Sequence, residues 1–263
     1  MADGTDDGLT GLGRRSALAL VGAVTSGVAT IATLIIASNT LTGPGAGEFF
    51  VAISLFAIVQ GLCSFGVETG LQYFVPTMAE PAARRLIRIV ATASAVAGLV
   101  IATTVWLVAE PIADLLGSGE ATNEGTASVI RSIAILLPFA GLYEVTMGAL
   151  RACDRVLVST VLDRILRPAA QVIAMLGAAA ASAGSRGAVL AWAVPNAAAV
   201  LCAVVLLAGV RLGSAGGRNE LVPQAVFWKF TAPRSIARIA QTLTQRLDVL
   251  ILAAVYPLEE AAV

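Results

Sequence analysis

Histidine is absent from this 263-residue chain. That absence removes His-ligated zinc and haem, and every Ser–His or Cys–His nucleophile. Charge is scarce too: 13% of residues are Asp, Glu, Lys or Arg, whereas soluble globular domains carry about 25%. Lysine is nearly missing, with Lys229 alone against sixteen arginines, a usage that fits a GC-rich bacterial genome. Three cysteines are too few and too scattered for a disulfide framework. Cys63 and Cys202 lie in apolar stretches and Cys153 in a short basic loop, so they read as packing or inert thiols. No Gly-rich phosphate loop of the Walker type occurs, so the chain does not hydrolyse ATP. What is there is apolar: 57% hydrophobic residues and a mean hydropathy of +0.86, the composition of an integral membrane protein.

Crossing about 30 Å of hydrocarbon takes about 20 helical residues. Seven stretches are long enough: 16–38, 49–74, 86–108, 132–150, 156–181, 188–210 and 231–256. The first follows Arg14 and Arg15, but its apolar region far exceeds the about 7–15 residues of a secretory signal, so it reads as a retained anchor. Placing the N-terminus in the cytoplasm puts ten basic residues inside: Arg14, Arg15, Arg84, Arg85, Arg88, Arg151, Arg155, Arg211, Arg218 and Lys229. Two, Arg131 and Arg186, fall outside. This bias satisfies the positive-inside rule at every loop. The expectation is an all-α, polytopic membrane helix bundle of seven transmembrane helices in a bacterial plasma membrane, N-terminus cytoplasmic.

Composition divides the chain further. Residues 1–15 are Gly- and Asp-rich and read as a disordered cytoplasmic tail. Residues 16–210 form a six-helix N-terminal lobe. The segment 211–230 is a Gly/Ser-rich linker ending in an aromatic–basic interfacial anchor, Phe227, Trp228, Lys229 and Phe230. Residues 231–263 carry the seventh span, beyond what reads as a boundary between two lobes. In the outer loop, Pro111–Leu116 suits a short interfacial helix.

Two spans carry arginine. In 156–181, Thr160, Arg164, Arg167 and Gln171 step by four, three and four; in 231–256, Arg234, Arg238, Gln241, Gln245 and Asp248 step by four, three, four and three. A 3.6-residue period puts each set on one face. Arginine at bilayer depth is costly, so it normally faces a bundle interior or a wet cavity. Asp163 precedes Arg167 by four residues, the favourable order for an ion pair, whereas Arg164 has no partner on its own helix. Arg246 lies off its stripe. Gln60, Ser64, Glu68 and Gln72 step by four along the second span, and Glu144 lies in the fourth. These polar groups read as glue between helices, as cation or proton sites, or as counter-ions for the arginines.

Guanidinium groups in a membrane-embedded cavity suit phosphate or pyrophosphate, while a hydrophobic tail stays in lipid. The candidate head-group cavity is Arg164, Arg167, Gln171, Arg238, Gln241 and Arg246. Candidate coupling or counter-ion residues are Glu68, Glu144, Asp163 and Asp248. No cofactor, metal or nucleic acid is implied.

The run Leu12-Gly-Arg-Arg-Ser, then Ile35-Ile-Ala-Ser-Asn-Thr-Leu-Thr-Gly-Pro-Gly-Ala-Gly-Glu-Phe-Phe, resembles the opening of polysaccharide-type flippases. So does Phe65-Gly-Val-Glu-Thr-Gly-Leu-Gln-Tyr-Phe-Val-Pro before a basic turn, and Phe230-Thr-Ala-Pro-Arg-Ser through Arg246-Leu-Asp-Val-Leu-Ile-Leu looks like the segment opening their second lobe. These belong to the Wzx-like branch of the multidrug/oligosaccharidyl-lipid/polysaccharide exporter superfamily. The resemblance implies a transporter of polyprenyl pyrophosphate-linked oligosaccharide, with two six-helix lobes around a cationic cavity and alternating access between them. It carries the family's basic cavity positions onto Arg164, Arg167, Arg238 and Arg246. That family has twelve to fourteen helices, so the seven read here imply a truncated product, or a second chain that completes the second lobe. Three alternatives stand beside this reading. One is a cation-coupled drug antiporter of the same superfamily, with Glu68 and Glu144 as coupling sites. The second is a fragment inactive without its other half. The third, an intramembrane transferase, is disfavoured by the lack of histidine and of an acidic cluster in a large cytoplasmic loop.

Overall fold

Helices this apolar either bury their surface on one another or leave it to lipid, and both outcomes occur here. The structure, a computed structural model, describes residues 4–64, 66–116, 120–214, 217 and 222–255. Among them every element is helical apart from an isolated bridge at Met78. The order is α1 (Gly4–Thr40), α2 (Gly43–Ser64), α3 (Val67–Phe74), α4 (Glu80–Leu107), α5 (Ala109–Leu116), α6 (Glu120–Ala134), α7 (Leu137–Ala152), α8 (Val156–Val161), a π-helical turn at Leu162–Leu166, α9 (Arg167–Ala180), α10 (Gly184–Ala208) and α11 (Gln224–Val255). The fold is the helical membrane bundle expected, and α5 is the short helix read in the outer loop.

Three of the expected spans are interrupted, each for a backbone reason. The second breaks at Gly66, which adopts φ 61° between α2 and α3. A Cβ there would stand 2.8 Å from the Thr231 carbonyl oxygen, so glycine also lets α11 approach. The fourth breaks between α6 and α7, where Pro138 opens the new helix. The fifth contains the π-turn. Pro168 has no N–H to give to the carbonyl four residues back, and the Arg167 N–H instead reaches Leu162, five back.

Among the described residues five stretches are long and apolar enough to cross a membrane: Ser16–Thr40, Gly43–Thr77, Glu80–Leu107, Glu124–Ala152 and Gly184–Ala208. The other two expected spans are helical but too charged to qualify on composition, so the count of seven rests on sequence reasoning alone. Helix α1 is continuous from Gly4. The aromatic segment forms the first turns of α11. There Phe227 is fully buried against α3, and Phe230 stacks on Tyr73 with ring centroids 4.8 Å apart.

Helix α7 is the axis of the bundle. Every residue from Tyr143 to Leu150 is buried, and its neighbours include α2, α3, α4 and α10. Gly148 makes one of these approaches possible: a Cβ there would meet the Glu68 Cα at 2.8 Å. One core gathers Phe49, Phe56, Ile130, Ile133, Leu137 and Met175; another gathers Leu71, Val75, Met78, Leu86 and Phe227 toward the opposite end. Leu20, Val24, Val28, Ile31 and Ile35 of α1 stay more than half exposed, the composition of a lipid-facing surface.

Candidate functional site

The polar residues of the lobe converge where α3, α7, the π-turn and α10 meet. Arg151, at the end of α7, donates to Glu68 of α3 and to Asp163 of the π-turn, the latter at 3.0 Å. Arg167 donates to the other Asp163 oxygen at 3.3 Å and to the Asn196 side-chain oxygen of α10 at 3.0 Å. The Tyr143 hydroxyl also donates to Asp163, and the Arg167 guanidinium lies over the Tyr143 ring at 5.1 Å from its centroid. Gln72 donates to Glu68 at 3.1 Å. The charges alternate along this chain (Glu68, Arg151, Asp163, Arg167) and sum to zero. Their side chains are 19–23% exposed, so the pairs are shielded enough to attract strongly and open enough to avoid full desolvation.

The expected stripe on the fifth span is split. The π-turn inserts a residue into the helical phase, so side chains on its two sides no longer align as a 3.6-residue period demands. Thr160 and Arg164 turn toward α1, where a Cβ on Gly22 would meet Arg164 Cβ at 3.0 Å and Thr160 Cγ2 at 3.5 Å. Arg167 and Gln171 turn toward α10, where Gln171 donates to the Trp192 carbonyl at 2.9 Å. Arg164 is exposed and has no hydrogen bond or ion pair among the described residues. It lies eight residues into the helical stretch, about 12 Å along it at 1.5 Å per residue.

Of the remaining expected residues, Glu144 is buried and accepts from Gln60 of α2 at 3.2 Å. Gln241 is exposed on α11. The side chains of Arg238, Arg246 and Asp248 lie outside the described ones. Three members of the network around this charge chain are not legible in the sequence. Arg151 sits two residues before a loop and was counted as a surface charge; Tyr143 and Asn196 are single polar residues in apolar helices. Asn196, next to Pro195 in the middle of α10, carried the one available signal, a lone amide at bilayer depth.

An apolar groove of about 610 Å³ runs between α9 and α10, with Leu166, Ala170, Val194 and Ala198 in its walls and Arg167 as its charged member. A second groove of about 370 Å³ continues it between α8, α10 and α1, sharing Leu162, Leu166 and Cys202. Leu18 closes it on α1, one turn before Gly22 and so on the face that meets Arg164. The arrangement therefore sets one guanidinium within the π-turn, toward α1, and another just after it, toward α10, next to continuous apolar grooves. All three cysteines are free, with Cys202 exposed in the groove and Cys63 buried. Burial pushes the Cys153 thiol up, against the lowering effects of the Gly213 backbone and of Arg84 and Arg155.

Comparison with known proteins places this architecture. Among solved structures the chain is similar to a MOP superfamily transporter from Pyrococcus furiosus Vc1, whose binding pocket of reversed polarity suggests a different function for that protein. The TM-score is 0.59 and the identity 15%, over 91% of this chain and 54% of the other. The likeness is one of fold, and the chain spans about half the length of that transporter. No curated protein matches the chain. Residues 30–165, from the middle of α1 to the π-turn, match the MatE family model, and the chain accordingly belongs to the MatE family.

Proposed function

We propose that this chain acts in a membrane transporter of the Wzx-like type, moving polyprenyl pyrophosphate-linked oligosaccharide by alternating access. The observation that carries the reading is Arg164: an exposed guanidinium without a partner among the described residues, held inside the membrane lobe beside an apolar groove. An uncompensated cation at that depth is expensive unless an anion or water meets it. The groove suits the prenyl tail and the guanidinium suits the pyrophosphate, which together describe an amphiphilic anion. Arg167 is neutralised by Asp163 and positions the groove wall, leaving Arg164 as the head-group contact.

Cation-coupled drug antiport is the competing reading, and it would place the critical residue at Glu144 or Glu68. Expression in a strain lacking its own flippase separates them. Surface polysaccharide returns with the wild-type chain, is lost with Arg164→Ala and is retained with Glu144→Gln. Absence of rescue by the wild type, or rescue that depends on Glu144 and not on Arg164, contradicts the reading.

A further inference from the structure

At the end of the bundle opposite Arg84, Arg151 and Arg155, a pocket of about 380 Å³ lies where α1 gives way to α2 and α9 to α10. Glu48 reaches its wall from the second turn of α2 and is only 8% exposed. One of its carboxylate oxygens accepts from the Ser185 hydroxyl and the other from Thr126 at 3.4 Å. No arginine or lysine pairs with it among the described residues. A carboxylate offers about four acceptor positions, so half of them remain for a ligand.

The rest of the lining is a mixture of donors and acceptors. The Thr40 hydroxyl gives its proton to the Ile36 carbonyl and keeps its oxygen free to accept. The Thr42 hydroxyl accepts from the Gly45 N–H, and its own proton has no partner among the described residues. Ser182 adds another hydroxyl. The first turns of α2 and α10 border the pocket, and their positive dipole ends offset the charge of Glu48. That offset disfavours a cation, and no group of three His, Cys, Asp or Glu residues stands ready for a metal among the described residues. Interleaved donors and acceptors around one strong acceptor match the vicinal hydroxyls of a sugar ring, and the volume is within the range of about 300–1,000 Å³ typical of small-molecule sites.

We propose that this pocket binds one sugar ring of the cargo through its hydroxyl groups, with Glu48 as the principal acceptor. The assignment of the sugar as cargo rests on the carrier reading above; the pocket itself does not. Saturation-transfer NMR on the purified chain in detergent tests it, using methyl glycosides of glucose, galactose, mannose, rhamnose and N-acetylglucosamine. At least one glycoside receives saturation from the wild type. The affinity falls about ten-fold or more in Glu48→Gln, the worth of a hydrogen bond to a charged group. Ala179→Leu, which fills the pocket without touching Glu48, loses the signal and melts like the wild type. The proposal is overturned by silence from every glycoside, by equal signals from the variants, or by a sodium-dependent rise in melting temperature that Glu48→Gln abolishes. Farnesyl pyrophosphate binding in the same samples keeps the two readings apart: its absence beside intact glycoside binding defeats only the carrier reading, and the reverse defeats only this pocket.

Discussion

Asp163 holds three donors at once, and that makes it the residue on which the charge chain turns. Arg151, Arg167 and Tyr143 come from two other positions on the bundle and one on its own helix, so Asp163→Asn leaves two guanidinium groups short of a carboxylate. Breaking one partner of a shielded pair is more damaging than removing both. Asp163→Asn and Arg167→Gln should each lower the melting temperature in detergent, and the double variant should recover part of the loss. A double-mutant cycle should return a coupling of about 0.5–3 kcal/mol, the range for contacting residues in one network; strict additivity would show that the pair is a proximity without coupling. The Asp163–Arg167 pair was legible from its four-residue spacing. Its extension to Arg151, Tyr143 and Asn196 was not, because those contacts join α7 and α10 across the bundle and leave no periodic trace in either helix.

The helical stretch from Val156 to Ala180 shows what a period-based reading cannot supply. Thr160, Arg164, Arg167 and Gln171 form one stripe only on an uninterrupted α-helix, and Pro168 ensures that this one is interrupted. The proline was visible in the sequence, but a proline can kink a helix, end it or force a π-turn, and only the packing of α1 and α10 on either side selects the last. Pro168→Ala restores the missing donor and lets the segment close as α-helix, turning Arg164 relative to Arg167 by about 100°. Hydrogen exchange read by mass spectrometry should then slow about ten-fold across 162–168, the worth of roughly one added hydrogen bond. If Arg164 is the head-group contact proposed above, the same variant should lose rescue of surface polysaccharide while the guanidinium is still present. Unchanged exchange would mean that the π-turn is held by packing and not by the proline. The breaks at Gly66 and before Pro138 share this character: each was spelled by a residue in plain view, and each needed a neighbour, α11 or α4, to decide what the residue does.

At the scale of the whole molecule, composition alone was enough for a membrane bundle, while the orientation read from the loop charges stays an expectation. Among the described residues five spans are apolar outright, and the two further spans expected from sequence are the ones bearing the arginines. The lobe's described ion-pair chain is neutral, so on the proposed reading the anionic head group is left to Arg164 beside the grooves of α8, α9 and α10. The most direct measurement uses a polyprenyl pyrophosphate with a diazirine in its tail, photolysed with the purified chain in lipid nanodiscs and mapped by mass spectrometry. The account predicts crosslinks concentrated at groove residues such as Leu162, Leu166, Ala170 and Val194, competed by unlabelled prenyl pyrophosphate and lost in Arg164→Ala. Crosslinks spread evenly over the exposed faces of α1 and α4, and indifferent to Arg164, would contradict it.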